Sequence, residues 1–413
     1  MRTIHIIGAG LAGLSAAVRL VGSSAKIIVH EATAYPGGRC RSYHDHATGL
    51  QIDNGNHLLL SGNRSVLSYL DAIGSRAQLV PSENAEFPFM DLATGARWNL
   101  RINDGRLPWW IFDASRRVPG TGPFDYIALA KLLNAGQGKT VCDVVSCKGP
   151  LYERLLYPLI VAALNIEPQK GSAALASAII RETIGAGGQA CRPLIAREGL
   201  GPVLVEPAIR LLRQNHIDIR FNHEVRAITM TGSTVTSLGF EDGTEVLGPD
   251  DRVILATPPY AAASLVPSLT VPVEFRSILN AHFRVEPPAG FPRLIGVLNG
   301  VVEWIFSFPE RLSVTVSNAD QYMQMPREGL AKTIWQEVSA VTGVAGGLPC
   351  WQIVRERRAT FAATPEQDLR RPPAQTAWAN LFLAGDWTAT GLPATIEGAV
   401  RSGQRAAELV VAK

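Results

Sequence analysis

Cysteine is scarce in this sequence and irregularly spaced. The 413 residues include only Cys40, Cys142, Cys147, Cys191 and Cys350. Their number is odd, Cys142 and Cys147 are too far apart for a CxxC pair, and no histidine cluster follows them. We therefore expect no zinc site and no disulfide framework, and we interpret all five side chains as the reduced thiols of a cytosolic protein.

Long apolar runs, runs of like charge and internal repeats are also missing. No window of about 18 residues is apolar and uncharged enough for a transmembrane helix. The opening residues MRTIHIIGAG lead from a strand into a glycine loop, so we expect no signal peptide. A net charge of +3 without a Lys/Arg cluster gives no indication of nucleic acid binding. Two or three globular domains remain as the expectation, because 46% of the residues are hydrophobic.

The first thirty residues have the pattern of a strand–loop–helix–strand unit. Residues 3–7 and 26–30 are apolar strands, and the Ala- and Leu-rich residues 14–20 favour a helix between them. The loop before this helix has the spacing GxGxxG. A unit of about 30 residues with this loop is typical of half a Rossmann fold, and it predicts an α/β dinucleotide-binding domain.

The glycine loop is suited to a pyrophosphate. Gly8 allows the tight turn, Gly10 lets the backbone approach the phosphates, and Gly13 lets the helix pack closely on the strand. Leu11 and Ala12 open the helix, where free N–H groups and the helix dipole favour negative charge.

Two further groups of residues should contact the same dinucleotide. Glu31, followed by Ala32, ends the second strand and can accept two hydrogen bonds from ribose hydroxyls. A 2′-phosphate would be repelled there, which favours FAD or NAD over NADP. Gly37 and Gly38 allow a close backbone pass, and Arg39 can neutralise a pyrophosphate oxygen.

A polar turn follows at Asn54, Gly55, Asn56 and His57. A glycine between polar residues suits a backbone that lies against a flat ring. His57 could donate a proton at the redox centre, or it could only orient the loop.

The C-terminal region contains a second cofactor turn, which a plain NAD dehydrogenase does not need. Gly385 and Asp386 follow a strand, and Asp386 can hold ribityl hydroxyls. A helix that begins near Ala394, Thr395 and Ile396 can direct its N–H groups at a flavin pyrimidine.

Nucleotide-binding elements thus lie at both termini and in the middle of the chain. Residues 85–190 are predicted to be mainly helical, and residues 218–247 and 273–320 to be alternating strands. We predict a Rossmann-type FAD-binding domain formed by residues 1–84, 200–265 and 375–413. An interleaved α+β substrate domain is predicted for residues 85–199 and 266–374.

Together these motifs resemble the amine oxidase and carotenoid desaturase superfamily of flavoenzymes. The resemblance spans nearly the whole chain, in superfamily order, at residues 8–17, 31, 37–42, 223–228, 253–259 and 383–407. It implies that the backbone of Val225 contacts the adenine and that Thr395 and Ile396 meet the flavin pyrimidine. Amine oxidases have a tyrosine where this chain has Thr395, which weakens the case for an amine substrate.

At a finer level, residues 53–63, 107–110 and 391–403 are similar to the hydroxysqualene dehydroxylases of bacterial hopanoid synthesis. The resemblance implies that hydride passes from reduced FAD to an allylic cation, after an allylic hydroxyl has left, and that squalene forms. We propose His57 as the acid. A carotenoid-type desaturase running hydride transfer the opposite way, an amine oxidase and a non-catalytic FAD-binding protein are the alternatives.

A substrate as long as squalene needs an apolar tunnel and a route from lipid. Residues 106–112, with Arg116 and Arg117, place aromatic residues between cations, which is typical of a membrane interface or of core tryptophans beside surface arginines. Residues 151–164 could line a tunnel or belong to the core. No second GxGxxG loop stands out, so we expect an external electron donor or reductase. We expect a cytoplasmic protein in peripheral contact with the inner face of the bacterial membrane.

Overall fold

The computed structural model describes residues 2–412. In this range, the strands are β1 Thr3–Ile7, β2 Lys26–His30, β3 Ser42–Asp45, β4 Leu50–Asp53, β5 Leu59–Leu60, β6 Leu79–Pro81, β7 Ala85–Asp91, β8 Arg97–Ile102, β9 Pro193–Ala196, β10 Asp218–Arg220, β11 Ala227–Thr231, β12 Thr234–Gly239, β13 Thr244–Val246, β14 Arg252–Leu255, β15 Phe275–Arg284, β16 Leu294–Leu298, β17 Trp304–Phe308, β18 Arg311–Val316, β19 Trp351–Phe361 and β20 Leu381–Leu383. The α-helices are α1 Leu11–Arg19, α2 Arg64–Ala72, α3 Ile127–Leu133, α4 Val141–Val144, α5 Tyr157–Leu164, α6 Ala173–Glu182, α7 Glu206–Gln214, α8 Pro259–Leu265, α9 Arg327–Thr342, α10 Pro365–Leu369 and α11 Ile396–Val411.

A parallel sheet of five strands forms the Rossmann-type half of the molecule. Its strand order is β10-β2-β1-β14-β20, so the first and last strands of the chain belong to one sheet. The predicted bounds of β1 and β2 are confirmed. All five strands lie within the three segments assigned from the sequence to the FAD-binding domain. The division of the chain into domains stays a prediction.

Helices α1 and α11 cross in close contact over this sheet. Gly403 in α11 lies against the backbone of α1, where a Cβ would overlap the carbonyl oxygen of Ala12 and lie 3.0 Å from the nitrogen of Ala16. The Ser15 hydroxyl donates to the carbonyl of Val400 across the same contact, at 2.9 Å. The helix that opens at the glycine loop is therefore held by the C-terminal helix.

A seven-stranded sheet forms the second half, in the order β19-β15-β18-β17-β16-β7-β8. One face packs on α9 through residues such as Ile305 and Ile334. The strands predicted in residues 218–247 and 273–320 are confirmed. The helical prediction for residues 85–190 is wrong at its start, because residues 85–102 form the β7-β8 hairpin. Gly95 has φ of 72°, a left-handed conformation that glycine adopts easily, and the turn there lets β7 and β8 pair instead of forming a helix.

The prediction that all five cysteines are reduced is also wrong. Cys142 and Cys147 form a disulfide, whereas Cys40, Cys191 and Cys350 are free. Cys142 lies in the one-turn helix α4, after which the chain bends back and brings the two Cα atoms to 5.6 Å. This separation is within the range that a disulfide spans. A test for CxxC spacing does not detect such a pair. No helix within residues 2–412 is long and apolar enough to cross a membrane.

The α1–α11 contact leads to a stability prediction. Gly403→Ala forces a methyl group into the backbone of α1, so we expect the free energy of unfolding to fall by about 1–3 kcal/mol. Gly329→Ala in α9 is the matched control, because a Cβ there meets no atom within 4 Å. We expect that control to be neutral or to stabilise by up to about 1 kcal/mol. Equal effects of the two changes in chemical denaturation would contradict the predicted close crossing.

Candidate functional site

The N-terminal glycine loop leaves open space at the start of α1. Gly8 has φ of 107°, and a Cβ on Gly13 would overlap the carbonyl oxygen of Gly8. A Cβ on Gly10, by contrast, would meet no atom within 4 Å. No side chain caps α1, and no acidic residue lies in its first turn, where Leu11 and Ala12 are located. The loop therefore presents backbone N–H groups to a space that a phosphate fits.

Glu31 braces this loop from the end of β2. Its Oε2 accepts from the backbone N–H of Ala9 at 2.8 Å, and its Oε1 accepts from the N–H and the hydroxyl of Thr33 at 2.9 and 2.8 Å. Of the four acceptor positions of a carboxylate, one remains. Glu31 can thus take one further hydrogen bond without rearrangement, fewer than the two expected. Ala32 follows at the exposed rim.

The loop carrying Val225 lies beside Glu31. The backbone N–H of His223 donates to the carbonyl of Glu31 at 2.9 Å, and Val225 is buried two residues further on. The structure therefore brings the two residues predicted to hold the adenosine end into one region.

The second glycine turn packs against the first. The N–H of Gly37 donates to the carbonyl of Ala9 at 2.8 Å, and a Cβ on Gly38 would lie 3.5 Å from the Cα of Gly10. Both residues have positive φ, of 98° and 55°, which glycine adopts without strain. Arg39 follows directly, so its side chain starts at the predicted phosphate site.

An ion pair joins this turn to the C-terminal region. Nη2 of Arg39 lies 2.8 Å from both carboxylate oxygens of Asp386, and Nη1 donates to the carbonyl of Ala359. The neighbouring N–H of Gly385 donates to the hydroxyl of Ser402 in α11 at 2.8 Å. Sequence reasoning placed Arg39 and Asp386 in one site but did not predict that they contact each other.

The start of α11 is formed by the residues predicted to meet a flavin ring. Thr395 is the N-cap, and its hydroxyl accepts from the N–H of Gly398 at 3.0 Å. Ile396 begins the helix, as predicted, and Ala394 packs on the large core cluster. Because the residue that caps this helix is a threonine, the position contributes no aromatic ring.

His57 lies close to the ion pair. Burial, and to a lesser extent Arg39, lower the pKa of His57 to about 4, while Asp386 acts in the opposite direction. The imidazole is therefore neutral near pH 7 and can donate a hydrogen bond, but it is not a charged acid. This electrostatic setting was not foreseen from the sequence.

Asn280 is the centre of a polar network that sequence reasoning missed. Its Oδ1 accepts from the N–H of Asn56 at 3.2 Å and from the hydroxyl of Thr315 at 2.9 Å. Its Nδ2 would lie 3.3 Å from a Cβ on Gly55. Asn280 thus fixes the turn of residues 54–57 against the seven-stranded sheet. The only available signal was an asparagine at a buried position of the strand FRSILNAHFR.

Two residues after Asn280 in β15, the same face of the seven-stranded sheet lies among buried charged side chains. Asp53 and Arg311 are 3% and 6% exposed, and their closest side-chain atoms are 3.8 Å apart. His282 contacts the Ser313 hydroxyl at 2.9 Å, and burial together with Arg311 lowers its pKa to about 3.

The adjacent strands of this face carry aromatic residues instead. Phe89 lies 5.6 Å from both Trp98 and Trp304, measured between ring centroids. Phe306, on the same strand as Trp304, belongs to a small apolar cluster on which Leu58, the residue after His57, also packs. We call Phe89, Trp98, Trp304 and Phe306 the aromatic wall. Trp304 pairs directly with Thr315, so the polar network and the aromatic wall meet at neighbouring strands.

Comparisons with known proteins agree with this site. Residues 11–411 match the family model described as flavin containing amine oxidoreductase. The chain is 57% identical over 413 residues to a hydroxysqualene dehydroxylase of Rhodopseudomonas palustris, and 53% identical over 412 residues to one of Sinorhizobium fredii. Each match covers 100% of this chain and 99% of the relative. Cyclohexylamine oxidase from Brevibacterium oxydans has a similar fold, with a TM-score of 0.74 at 16% identity, over 100% of this chain and 99% of that chain.

The buried His282 leads to a prediction about acid stability. An unfolded histidine binds a proton below about pH 6.5, whereas folded His282 remains neutral down to about pH 3. The free energy of unfolding should therefore fall as pH drops below about 6.5, by up to about 1.4 kcal/mol per pH unit for this residue. His282→Asn should lose about 2 kcal/mol less than wild type between pH 6.5 and 4.5, and the exposed His46→Asn should follow wild type. Identical pH slopes in urea unfolding would contradict a buried neutral His282.

Proposed function

The chain belongs to the hydroxysqualene dehydroxylases within the flavin-containing amine oxidoreductase family, and on this premise we propose that it converts hydroxysqualene to squalene by reductive dehydroxylation. It is an FAD-dependent oxidoreductase. The alternative function is that of a carotenoid-type desaturase, which would have the same fold. The observation that supports this substrate is the change from polar network to aromatic wall across neighbouring strands beside His57.

The residues of the site fit FAD. The open N-terminus of α1 accommodates a pyrophosphate, the remaining acceptor position of Glu31 accommodates a ribose hydroxyl, and Asp386 lies at a strand end where ribityl hydroxyls can reach it. The capped start of α11 can direct its N–H groups at the flavin. When bound and reduced, FAD supplies a hydride.

His57 is suited to assist the departure of the hydroxyl group. Hydroxide is a poor leaving group, so the carbon–oxygen bond breaks more easily when a donor holds the oxygen. A neutral imidazole provides such a donor through its N–H group. Asn56, held by Asn280, fixes the turn that carries His57, so the imidazole needs little reorganisation.

The aromatic wall is suited to the rest of the substrate. Aromatic faces attract a positive charge that develops on a nearby polyene. The same rings exclude water, which would otherwise capture an allylic cation and restore the alcohol. An amine substrate would find no charged partner on this wall.

A membrane-facing patch would deliver the lipid. Leu107, Trp109, Phe112, Phe124 and Ile127 are exposed, with Trp109 66% and Phe124 84% accessible. We call these five residues the apolar patch, and we propose that it inserts into the headgroup region of a bilayer.

Residues in the segment 106–117, predicted from the sequence to face a membrane, differ in their exposure and contacts. Trp110 is buried and belongs to the same core cluster as Phe89, so the patch adjoins the core that carries the aromatic wall. Arg106 and Arg116 are exposed and can meet lipid phosphates. Arg117 instead donates to the carbonyls of Ile111 and Thr121, and so has a structural role.

The activity can be tested without knowing the natural electron donor, which we propose is a separate reductase. The FAD of the purified protein is reduced anaerobically, hydroxysqualene is added, and squalene is followed by mass spectrometry with flavin absorbance. We expect squalene to form in step with flavin reoxidation. His57→Ala should keep its FAD and lower the single-turnover rate by about 100-fold or more, whereas His46→Ala should match wild type.

Two results would contradict these assignments. A reducible yellow protein that leaves hydroxysqualene unchanged, but desaturates a carotenoid precursor with oxidised flavin, would favour the alternative. A near-wild-type rate in His57→Ala would exclude His57 as the assisting donor.

The membrane proposal has its own test, in which vesicles with and without anionic lipid are sedimented with the protein. The double change Trp109→Ser and Phe112→Ser removes two exposed rings, so we expect at least about 10-fold weaker partitioning. Leu369→Ser, an exposed apolar residue outside the patch, is the control. Partitioning that is equal in both variants would assign membrane contact, if any, to another surface.

A further inference from the structure

Three histidines lie in a row beneath the adenosine end of the site. Nδ1 of His5 in β1 is 3.1 Å from Nε2 of His30 in β2, and Nδ1 of His30 is 3.0 Å from Nδ1 of His223. His5 and His30 are each 1% exposed. The ring centroids of His5 and His30 are 5.4 Å apart and those of His30 and His223 are 5.1 Å apart, so the rings meet edge to edge along these nitrogen contacts. The dehydroxylation chemistry uses none of these side chains.

A carboxylate completes the group. Glu245 in β13 offers an oxygen that lies, with one ring nitrogen of His5 and one of His30, in a set of atoms within 4.8 Å of one another. Two nitrogens bound tetrahedrally to one zinc ion are about 3.3 Å apart, close to the observed 3.1 Å. The carboxylate must approach by at most about 1.5 Å to share the ion at that ligand spacing. Its side chain is 34% exposed, which leaves it free to move and gives an ion a path from solvent.

We propose that His5, His30 and Glu245 bind one divalent cation of the zinc type, at a site separate from the flavin. Two imidazoles and one carboxylate are ligand types that Zn²⁺ prefers, and water can take the remaining position. His223 can support the site from outside, because in the tautomer in which it accepts the Nδ1–H of His30, Nε2 of His30 is left as the ligand. Loading the ion then moves the ring proton of His5 to its other nitrogen, turns the two imidazoles toward the ion and brings Glu245 closer, with no net loss of protons.

The electrostatic surroundings suit a cation with neutral ligands. Burial lowers the pKa of His5 and lowers that of His30 to about 3, so both rings are unprotonated at neutral pH. Asp251 and Glu245 act on His5 as negative charges, and Arg220 and Lys26 as positive ones. Arg220 holds Glu245 only at 3.5 Å while it contacts Asp218 at 2.8 Å, so Glu245 can leave Arg220 without isolating it.

The ion would connect two sheets. His5 and His30 belong to the parallel sheet, and Glu245 belongs to the β11-β12-β13 sheet that packs on it. His30 immediately precedes Glu31, so the site lies directly behind the carboxylate that braces the glycine loop. A bound cation would therefore hold the adenosine end of the site in place.

The test uses tag-free protein with its FAD, titrated with CoCl₂ under visible absorbance and with ZnCl₂ in a calorimeter. We expect one equivalent of each ion, and displacement of Co²⁺ by Zn²⁺. Glu245→Gln, a change at a partly exposed position, should weaken both affinities by at least about 10-fold, and His30→Asn should abolish the cobalt d–d bands. Glu241→Gln, on the neighbouring exposed turn, should bind as wild type does.

Absence of saturable binding, or binding that Glu245→Gln leaves unchanged, would overturn the proposal and leave the histidines as a hydrogen-bonded row. No step uses hydroxysqualene, so the result is independent of the proposed reaction. The flavin spectrum and circular dichroism of each variant show whether it is folded, and Glu245→Gln keeps the proposal testable if His30→Asn fails to fold.

Discussion

The ion pair between Arg39 and Asp386 is the contact on which the site depends. It joins two turns 347 residues apart, and Asp386 is nearly buried, with a side chain only 8% exposed. A buried carboxylate without a partner would be strongly destabilising, so Arg39 must remain next to it. Arg371 reinforces the turn from the other side, since it donates to the carbonyls of Asp386 and Thr388. The two halves of the predicted flavin site are thus held together by charge as well as by the crossing of α1 and α11.

We propose that the second sheet determines which substrates the site can accept. Its polar strands hold the turn that carries His57, and its neighbouring strands form the aromatic wall. Both sets of residues lie on one continuous face, because Trp304 and Thr315 are directly paired in β17 and β18. A hydrocarbon with one hydroxyl group matches such a surface, with the hydroxyl at the polar side and the chain along the rings. Relatives that oxidise amines can share the fold without sharing this face, since fold and function are separable.

The Rossmann-type half could be predicted from local sequence patterns. The rest of the fold and site depends on long-range packing, which such patterns do not reveal. The bounds of β1 and β2 and the start of α11 follow from strand periodicity and a threonine cap, which depend on neighbours in sequence. Asn280 and Arg371 could not be assigned, because their roles arise from contacts with distant turns. The pair of Cys142 and Cys147 depends on how the chain returns after α4. The low pKa of His57 depends on burial and on Arg39 in the folded protein, which no motif encodes.

The neutral state of His57 changes how the proposed reaction must work. A charged imidazolium would protonate the departing hydroxyl outright, whereas a neutral imidazole only shares its proton through a hydrogen bond. Stabilising the cation that remains then becomes more important, and we propose that the aromatic wall beside Leu58 does this. Burial lowers the pKa of His57, and the same apolar surroundings would protect the proposed cation from water. In this proposal, the residue that assists the leaving group and the surface that protects the cation therefore share one largely apolar environment.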